Sequence, residues 1–210
     1  MKKLHFSIPF MLSLILVALL SSCGTKQPLP TEEERLEASR QVPCIIVMPV
    51  ETRVNSDPSI TYKKAAVLEK GAAFLDSVLA EQLVGKNNVR ILSSRQLIAL
   101  IPEDSAKQLA LLKKIGSELK CNAVLQTTLS LYRDRVGGSY GADSPASVAF
   151  SFKLFDTSDG RVIWSSTFKE TQQSVMSNIM SGASRGLKWL TVDELAELGI
   201  IEKIKECPYL

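Results

Sequence analysis

Histidine is almost missing from this 210-residue chain: the single example is His5, ahead of any globular segment. A domain without histidine has no Ser-His-Asp or Cys-His nucleophilic machinery and no histidine-ligated zinc. Charge of one sign is missing too, since 25 basic side chains face 22 acidic ones. Without a dominant basic patch, nucleic acid is not the expected partner. No CxxC occurs among the four cysteines, which argues against a redox or metal role. Apolar runs long enough to span a bilayer are absent as well. The longest, Ile8 to Leu20, is 13 residues broken by Ser13, whereas a spanning helix needs about 20. Acidic residues are plentiful but sit in no recognisable catalytic motif, so carboxylate-only hydrolysis is the weakest reading. The expectation is a non-enzyme with no cofactor and no metal.

What is present at the N-terminus is more specific. Lys2 and Lys3 precede the apolar run, and Leu20-Ser21-Ser22-Cys23 closes it with small residues. A basic start, a short apolar stretch and a small-residue end read as an export signal. The four closing residues resemble the lipobox of bacterial lipoproteins. That resemblance implies cleavage after residue 22, a diacylglyceryl group on the Cys23 thiol and a third acyl chain on its amine. Two or more chains anchor stably where one does not. Gly24, in place of an aspartate, implies sorting to the outer membrane by the same resemblance. Removal of the signal leaves 188 residues with 23 basic and 22 acidic side chains. That is enough for one domain with a substantial core.

Residues 1–22 are therefore read as signal, 23–43 as lipidated N-terminus and periplasmic linker, and 44–210 as one domain. Within the linker, Thr31-Glu32-Glu33-Glu34 matches a capping box and predicts a short helix over Glu32 to Ser39. Fully extended, the linker reaches about 60 Å. Cys44 to Val50 is a continuous apolar run, expected of a strand buried on both faces. Helical spacing runs from Lys64 to Val84, with Gly85 in the position that ends a helix. A strand over Asn88–Leu92, a short helix over Ser94–Leu100 closed by Pro102, and a helix over Ser105–Leu119 follow.

Beyond that the period changes to two. Ala123, Leu125, Thr127, Leu129 and Leu131 share one face of a strand, and Val148, Phe150, Phe152 and Leu154 one face of the next. The turn Asp156 to Gly160 leads into a third alternating run, Arg161 to Phe168, which predicts a hairpin. Met176, Ile179, Met180, Ala183 and Leu187 suggest a helix, and Thr191-Val192-Asp193-Glu194 opens a last one that Gly199 is expected to end. The order β-α-β-α-α-β-β-β-α-α gives a mixed α/β fold, with about five strands in one sheet and helices packed on it.

Several of these segments also carry a family resemblance. The strand Ile45–Pro49, the junction Ile115-Gly116-Ser117-Glu118-Leu119 with Cys121-Asn122-Ala123-Val124-Leu125, and the hairpin Phe155 to Trp164 resemble α/β envelope lipoproteins. These are the group related to the curli-secretion protein CsgG, the TolB N-terminal domain and the peptidoglycan-synthase activators. Pro145–Phe150, Glu170–Gln173 and Trp189–Leu195 resemble proteobacterial lipoproteins without a settled role. The resemblance implies a scaffold or accessory subunit of envelope transport, secretion or assembly, with an envelope protein partner and a homo-oligomer as a subsidiary expectation. An activator of peptidoglycan synthesis is the alternative.

Candidate sites are few. Cys44, Cys121 and Cys207 allow three single pairings. Cys44–Cys121 is favoured because each precedes an apolar strand, and an oxidising compartment permits it. Arg133-Asp134-Arg135-Val136-Gly137-Gly138-Ser139-Tyr140-Gly141 has the arginines and glycines of an anion cradle but lacks the P-loop lysine and following helix. Arg133, Arg135, Gly137, Gly138 and Tyr140 are better read as a partner-contact hairpin tip. Trp164 and Trp189 are expected in the core. Gly182 and Gly186 form a GxxxG outside any apolar 20-mer, which speaks for close packing rather than a membrane dimer.

Overall fold

The computed structural model describes residues 28–52, 54, 60–101, 108–172 and 188–210. The export signal, Cys23, the 176–187 helix and the Gly182/Gly186 pair lie outside these residues, as does Pro102.

Helix α1 (Glu32–Gln41) starts at the Thr31 capping box: the Thr31 hydroxyl accepts from Glu34 N–H, and the Glu34 carboxylate accepts from Thr31 N–H. It does not hang free. The Arg35 guanidinium donates to the backbone carbonyls of Cys207 (3.0 Å), Leu210 (2.6 Å) and Lys205. Ala38 and Val42 are buried. Residues expected in the linker thus belong to the folded body, which begins near Thr31 rather than at Cys44.

One mixed sheet forms the frame, in the order β3-β1-β4-β7-β8, with β2 beside β4. Strands β1 (Ile45–Val47) and β3 (Val89–Ile91) are parallel, as are β1 and β4 (Ala123–Arg133) and β2 (Glu51–Thr52) and β4. Strand β7 (Ser147–Asp156) runs antiparallel to β4 and forms a hairpin with β8 (Val162–Thr171). A separate small ribbon, β5 (Val136–Gly137) with β6 (Ala142–Ser144), fills the connection between β4 and β7.

Helix α2 (Tyr62–Leu83) provides the crossover from β1 to β3, and buries Leu68, Leu75, Val78, Leu79 and Leu83 against one face of the sheet. The last helix, α5 (Val192–Glu206), lies on the same face and buries Leu195, Ala196, Ile200 and Ile204. On the opposite face α4 (Gln108–Leu119) covers Ile46, Met48, Val124 and Phe155 with Leu112 and Ile115. Helix α3 (Ser94–Leu100) adds Leu97 at that edge. Strand β1 is therefore sandwiched, Ile45 and Val47 entering one core and Ile46 the other. Gly85 adopts φ +81° just past α2, where only glycine sits without strain.

Two expectations are corrected. Gly199 does not end the last helix, which continues to Glu206. A Cβ there would lie 2.6 Å from the Phe168 ring, so the residue lets α5 approach β8 closely. Leu131 also does not share a face with Leu129. A bulge between them shifts the register, so that Leu129 pairs with Phe150 but Leu131 with Ala149 and Tyr132 with Val148. Tyr132 is turned onto the core face and Leu131 away from it. Trp164 stacks on Phe152 at the margin of the larger core, with centroids 6.2 Å apart.

Cys44 and Cys121 form a disulfide that joins the entries of β1 and β4, with Cα atoms 4.8 Å apart. Around it, Asn122 accepts from Cys44 N–H and donates to the Gln41 carbonyl. Cys207 is the remaining thiol among the described residues; burial pushes it up to about 12, which leaves it unreactive.

Candidate functional site

The bulge in β4 builds the most distinctive site. Tyr132 crosses beneath Gly71 of α2, where a Cβ would come within 2.6 Å of the ring. Its hydroxyl donates to the Asp193 carboxylate at the start of α5. Burial, then the bond to Asp193, push the phenol well above its ordinary range, so the proton stays on Tyr132. The neighbouring Asp134 accepts from the backbone N–H groups of Arg135 (2.8 Å) and Val192 (3.0 Å). The end of β4 is thereby tied to the first turn of α5. Thr191 and Glu194 complete that turn as a capping box, and Lys188 donates to Glu194 at 2.8 Å.

Above this junction lies a groove of about 630 Å³ between the first turns of α2, the end of β4 and the start of α5. Val67 gives it an apolar side chain that is 40% exposed, and Leu68, Leu131 and Val192 also line it. Lys63, Lys64 and Lys70 rise along the α2 side and Arg133 stands opposite. Arg133 donates to the Ser147 hydroxyl at 2.9 Å. The groove combines an apolar floor with a cationic rim. Its two carboxylates, Asp134 and Asp193, are engaged in bonds that hold the walls together. Such a surface can bind and orient a ligand, while the hydrogen bonds just described occupy its potential acid and base.

A second recess, of about 490 Å³, lies at the other end of α2, where Lys86 and Asn88 meet Arg35 of α1 and the last residues of the chain. Its polar groups are largely joined to one another: Arg35 holds three carbonyls and Asn88 donates to the Tyr209 carbonyl. A third, of about 260 Å³, opens where β1 and β3 end. Asp76 stands there, its carboxyl raised by burial although it accepts from Val50 N–H at 2.8 Å.

Of the partner-contact residues Arg133, Arg135, Gly137, Gly138 and Tyr140, only Arg133 lines the main groove, beside Asp134 of the same run. Arg135 turns inward, donating to the Trp189 carbonyl, to the Ser139 hydroxyl (3.3 Å) and to the Gly137 carbonyl. Gly137 (φ +106°) and Gly138 shape the turn, closed by Gly138 N–H on the Gly141 carbonyl at 2.8 Å. An anion cradle is not what this loop builds, because the Arg135 donors serve its own backbone and hydroxyl. Tyr140, 91% exposed, is the loop's free side chain. Trp189 is half-buried, and its N–H donates to the Ser139 carbonyl. From the sequence alone Tyr132 and the α2 lysines carry no site role, and Asp193 stands only in a capping box. The spacing of Lys63, Lys64, Val67 and Lys70 along one side of a helix was the available signal.

Among the described residues no group of three or more histidine, cysteine, aspartate or glutamate side chains could hold a metal ion. No helix among them is long and apolar enough to cross a membrane. No family model matches the sequence, and no curated protein matches it. Among solved structures, the chain is similar to the PelC dodecamer from Paraburkholderia phytofirmans, at 16% identity and a TM-score of 0.44, over 88% of this chain and 93% of that one. It is similar to the C-terminal domain of LpoB from Escherichia coli at 17% identity and a TM-score of 0.34, over 66% and 96%. Lipoprotein GNA1162 from Neisseria meningitidis matches at 17% identity and 0.34, over 67% and 93%.

Proposed function

We propose that this chain is an envelope lipoprotein, held by acyl chains on Cys23 to the outer membrane and facing the periplasm, whose domain is a non-catalytic binding scaffold in envelope transport, secretion or assembly. The observation that carries this reading is the polarity of the domain. The N-terminal approach ends in α1, clasped beside Lys86 and Tyr209, while the groove lies at the opposite end of α2. With 22 residues, α2 separates the two by about 33 Å. Only seven residues separate Cys23 from Thr31, and the eight steps between them reach about 28 Å at full extension. The anchored end therefore stays near the bilayer and the groove is presented away from it.

This shortened reach places an activator acting across the wall on an inner-membrane synthase below the scaffold reading. Self-association of the anchored domain is a subsidiary part of the proposal, and a monomeric mass for the detergent-solubilised protein would remove it.

Mass spectrometry of the mature N-terminus, with membrane fractionation of cells carrying wild type or Cys23→Ala, tests the anchor. The expected result is an acylated Cys23 in the outer-membrane fraction and release of the variant. An intact Met1 start on the mature protein would overturn the reading.

A further inference from the structure

The groove differs from the other recesses in what its polar groups already touch. Among the described residues the side-chain ammonium groups of Lys63, Lys64 and Lys70 have no ion-pair or hydrogen-bond partner. Arg133 has only the Ser147 hydroxyl. The carboxylates within reach are otherwise engaged, Asp193 by Tyr132 and Asp134 by two backbone N–H groups. Four cations thus border a strip containing Val67 and Leu131. Bulk solvent screens each exposed cation, so one pairing contributes little, and recognition requires several anionic groups on one ligand.

We propose that this groove takes an extended acidic segment of a partner protein, its carboxylates set against Lys63, Lys64, Lys70 and Arg133 and an apolar side chain set on Val67 and Leu131. This rests on the binding-scaffold reading and supplies the partner's chemistry. Charge complementarity selects an anion, and the apolar strip selects a peptide. A polyanionic glycan satisfies the lysines but leaves Val67 and Leu131 without apolar contact. Anionic lipid headgroups of the anchoring bilayer lie at the wrong end, since the tether enters beyond the far terminus of α2.

The test is titration of the full mature chain in detergent with a fluorescein-labelled peptide of alternating Glu and Leu. Gln/Leu and Lys/Leu peptides and an oligogalacturonate serve as competitors. The Glu/Leu peptide is expected to bind at least about tenfold more tightly than either control, with affinity falling as salt is raised. Lys64→Glu combined with Lys70→Glu, and separately Val67→Asp, are each expected to weaken it about tenfold. Circular dichroism confirms that these exposed substitutions leave the fold intact. Equal binding of the neutral peptide, or undiminished binding by the charge-reversed variant, would overturn the proposal. So would oligogalacturonate binding as tightly as the peptide while Val67→Asp has no effect. Cys23→Ala separates the two readings: a variant that stays in the membrane fraction while the wild-type chain binds the peptide rejects the anchored scaffold alone, and release of the variant with no peptide binding by the wild-type chain rejects the acidic ligand alone.

Discussion

The two halves of the sheet are held by different means. In the parallel half, β1 and β3 are three residues each, too short for the ladder alone to fix them. In β1 residues of both parities are buried, Ile45 and Val47 under α2 and α5, Ile46 under α4, whereas Arg90 and Ile91 of the edge strand β3 are exposed. The disulfide Cys44–Cys121 then closes a 77-residue separation across β1 and β4. In the antiparallel half, β4, β7 and β8 run for eleven, ten and ten residues and pair along almost their whole length. Over the middle of these strands one parity is buried, with Phe150, Phe152 and Leu154 in the core, and the other parity is buried only towards the ends, at Val124, Ala149 and Phe155. The other face shows Gln126, Thr128, Ser151, Lys153, Ser165 and Thr167, joined by bonds such as Gln126 to Glu51 at 2.7 Å. The short parallel strand β1 thus depends on two-sided burial and covalent closure, and the long antiparallel strands on local pairing, with one face wet over their middle.

The largest test of that contrast is the bridge. A loop of this length gives a chain-entropy contribution of about 4 kcal/mol, so Cys44→Ser with Cys121→Ser is expected to lower urea stability by that order. Hydrogen exchange should rise first in β1 and β3, with β7 and β8 still protected; uniform loss of protection would break the contrast. Next come paired truncations. Ile46→Ala is expected to cost about 2–5 kcal/mol, since Ile46 is fully buried on the second face. Lys153→Ala, on the corresponding face of β7, should change stability by less than about 0.5 kcal/mol. Similar costs at the two positions would mean that the open face is covered in solution.

Smaller still is Thr127, fully buried on the core face of β4, whose hydroxyl has no hydrogen-bond partner among the described residues. Thr127→Val replaces it with a methyl of similar shape and is expected to raise stability by about 1 kcal/mol, measured by denaturation. A loss of stability would show that the hydroxyl has a partner in solution. The smallest effect concerns pH. Bonding from Lys188 and then from Thr191 N–H holds the Glu194 carboxyl below its ordinary value of 4.5. A depressed folded value makes this contribution fully present above 4.5 and lost as the pH falls through the folded value. Glu194→Gln should therefore cost about 0.5 kcal/mol at neutral pH and nothing once the wild-type group is protonated. A constant difference across the acid range would contradict it.

Most of the architecture was legible because its periods were clean. The run Ser94–Leu100 appears with those bounds, and the capping boxes at Thr31 and Thr191 open helices where they stand. The hairpin turn at Asp156–Gly160 likewise joins β7 to β8, with Gly160 at φ +75°. Illegible features depended on contacts distant in sequence. Helix α1 looks solvated from its own composition, and docks because Arg35 finds carbonyls more than 170 residues away. Gly199 carries the mark of a helix end, yet it is the Phe168 ring across the interface that requires a glycine. The candidate groove was hidden for the same reason. A bulge breaks the alternation between Leu129 and Leu131, and that single inserted residue aims Tyr132 at Asp193.

The clasp at α1 has a mechanical consequence. A pull on the N-terminal side first meets Arg35, whose three carbonyl acceptors sit on the C-terminal segment, so both ends of the fold share the load. If that clasp yields, tension reaches Cys44 and crosses the bridge to Cys121, at the entry of the central strand. From there it is carried in shear by β4 and its long ladder with β7, instead of peeling β1 away residue by residue. The domain is wired to resist traction from the end at which it would be moored.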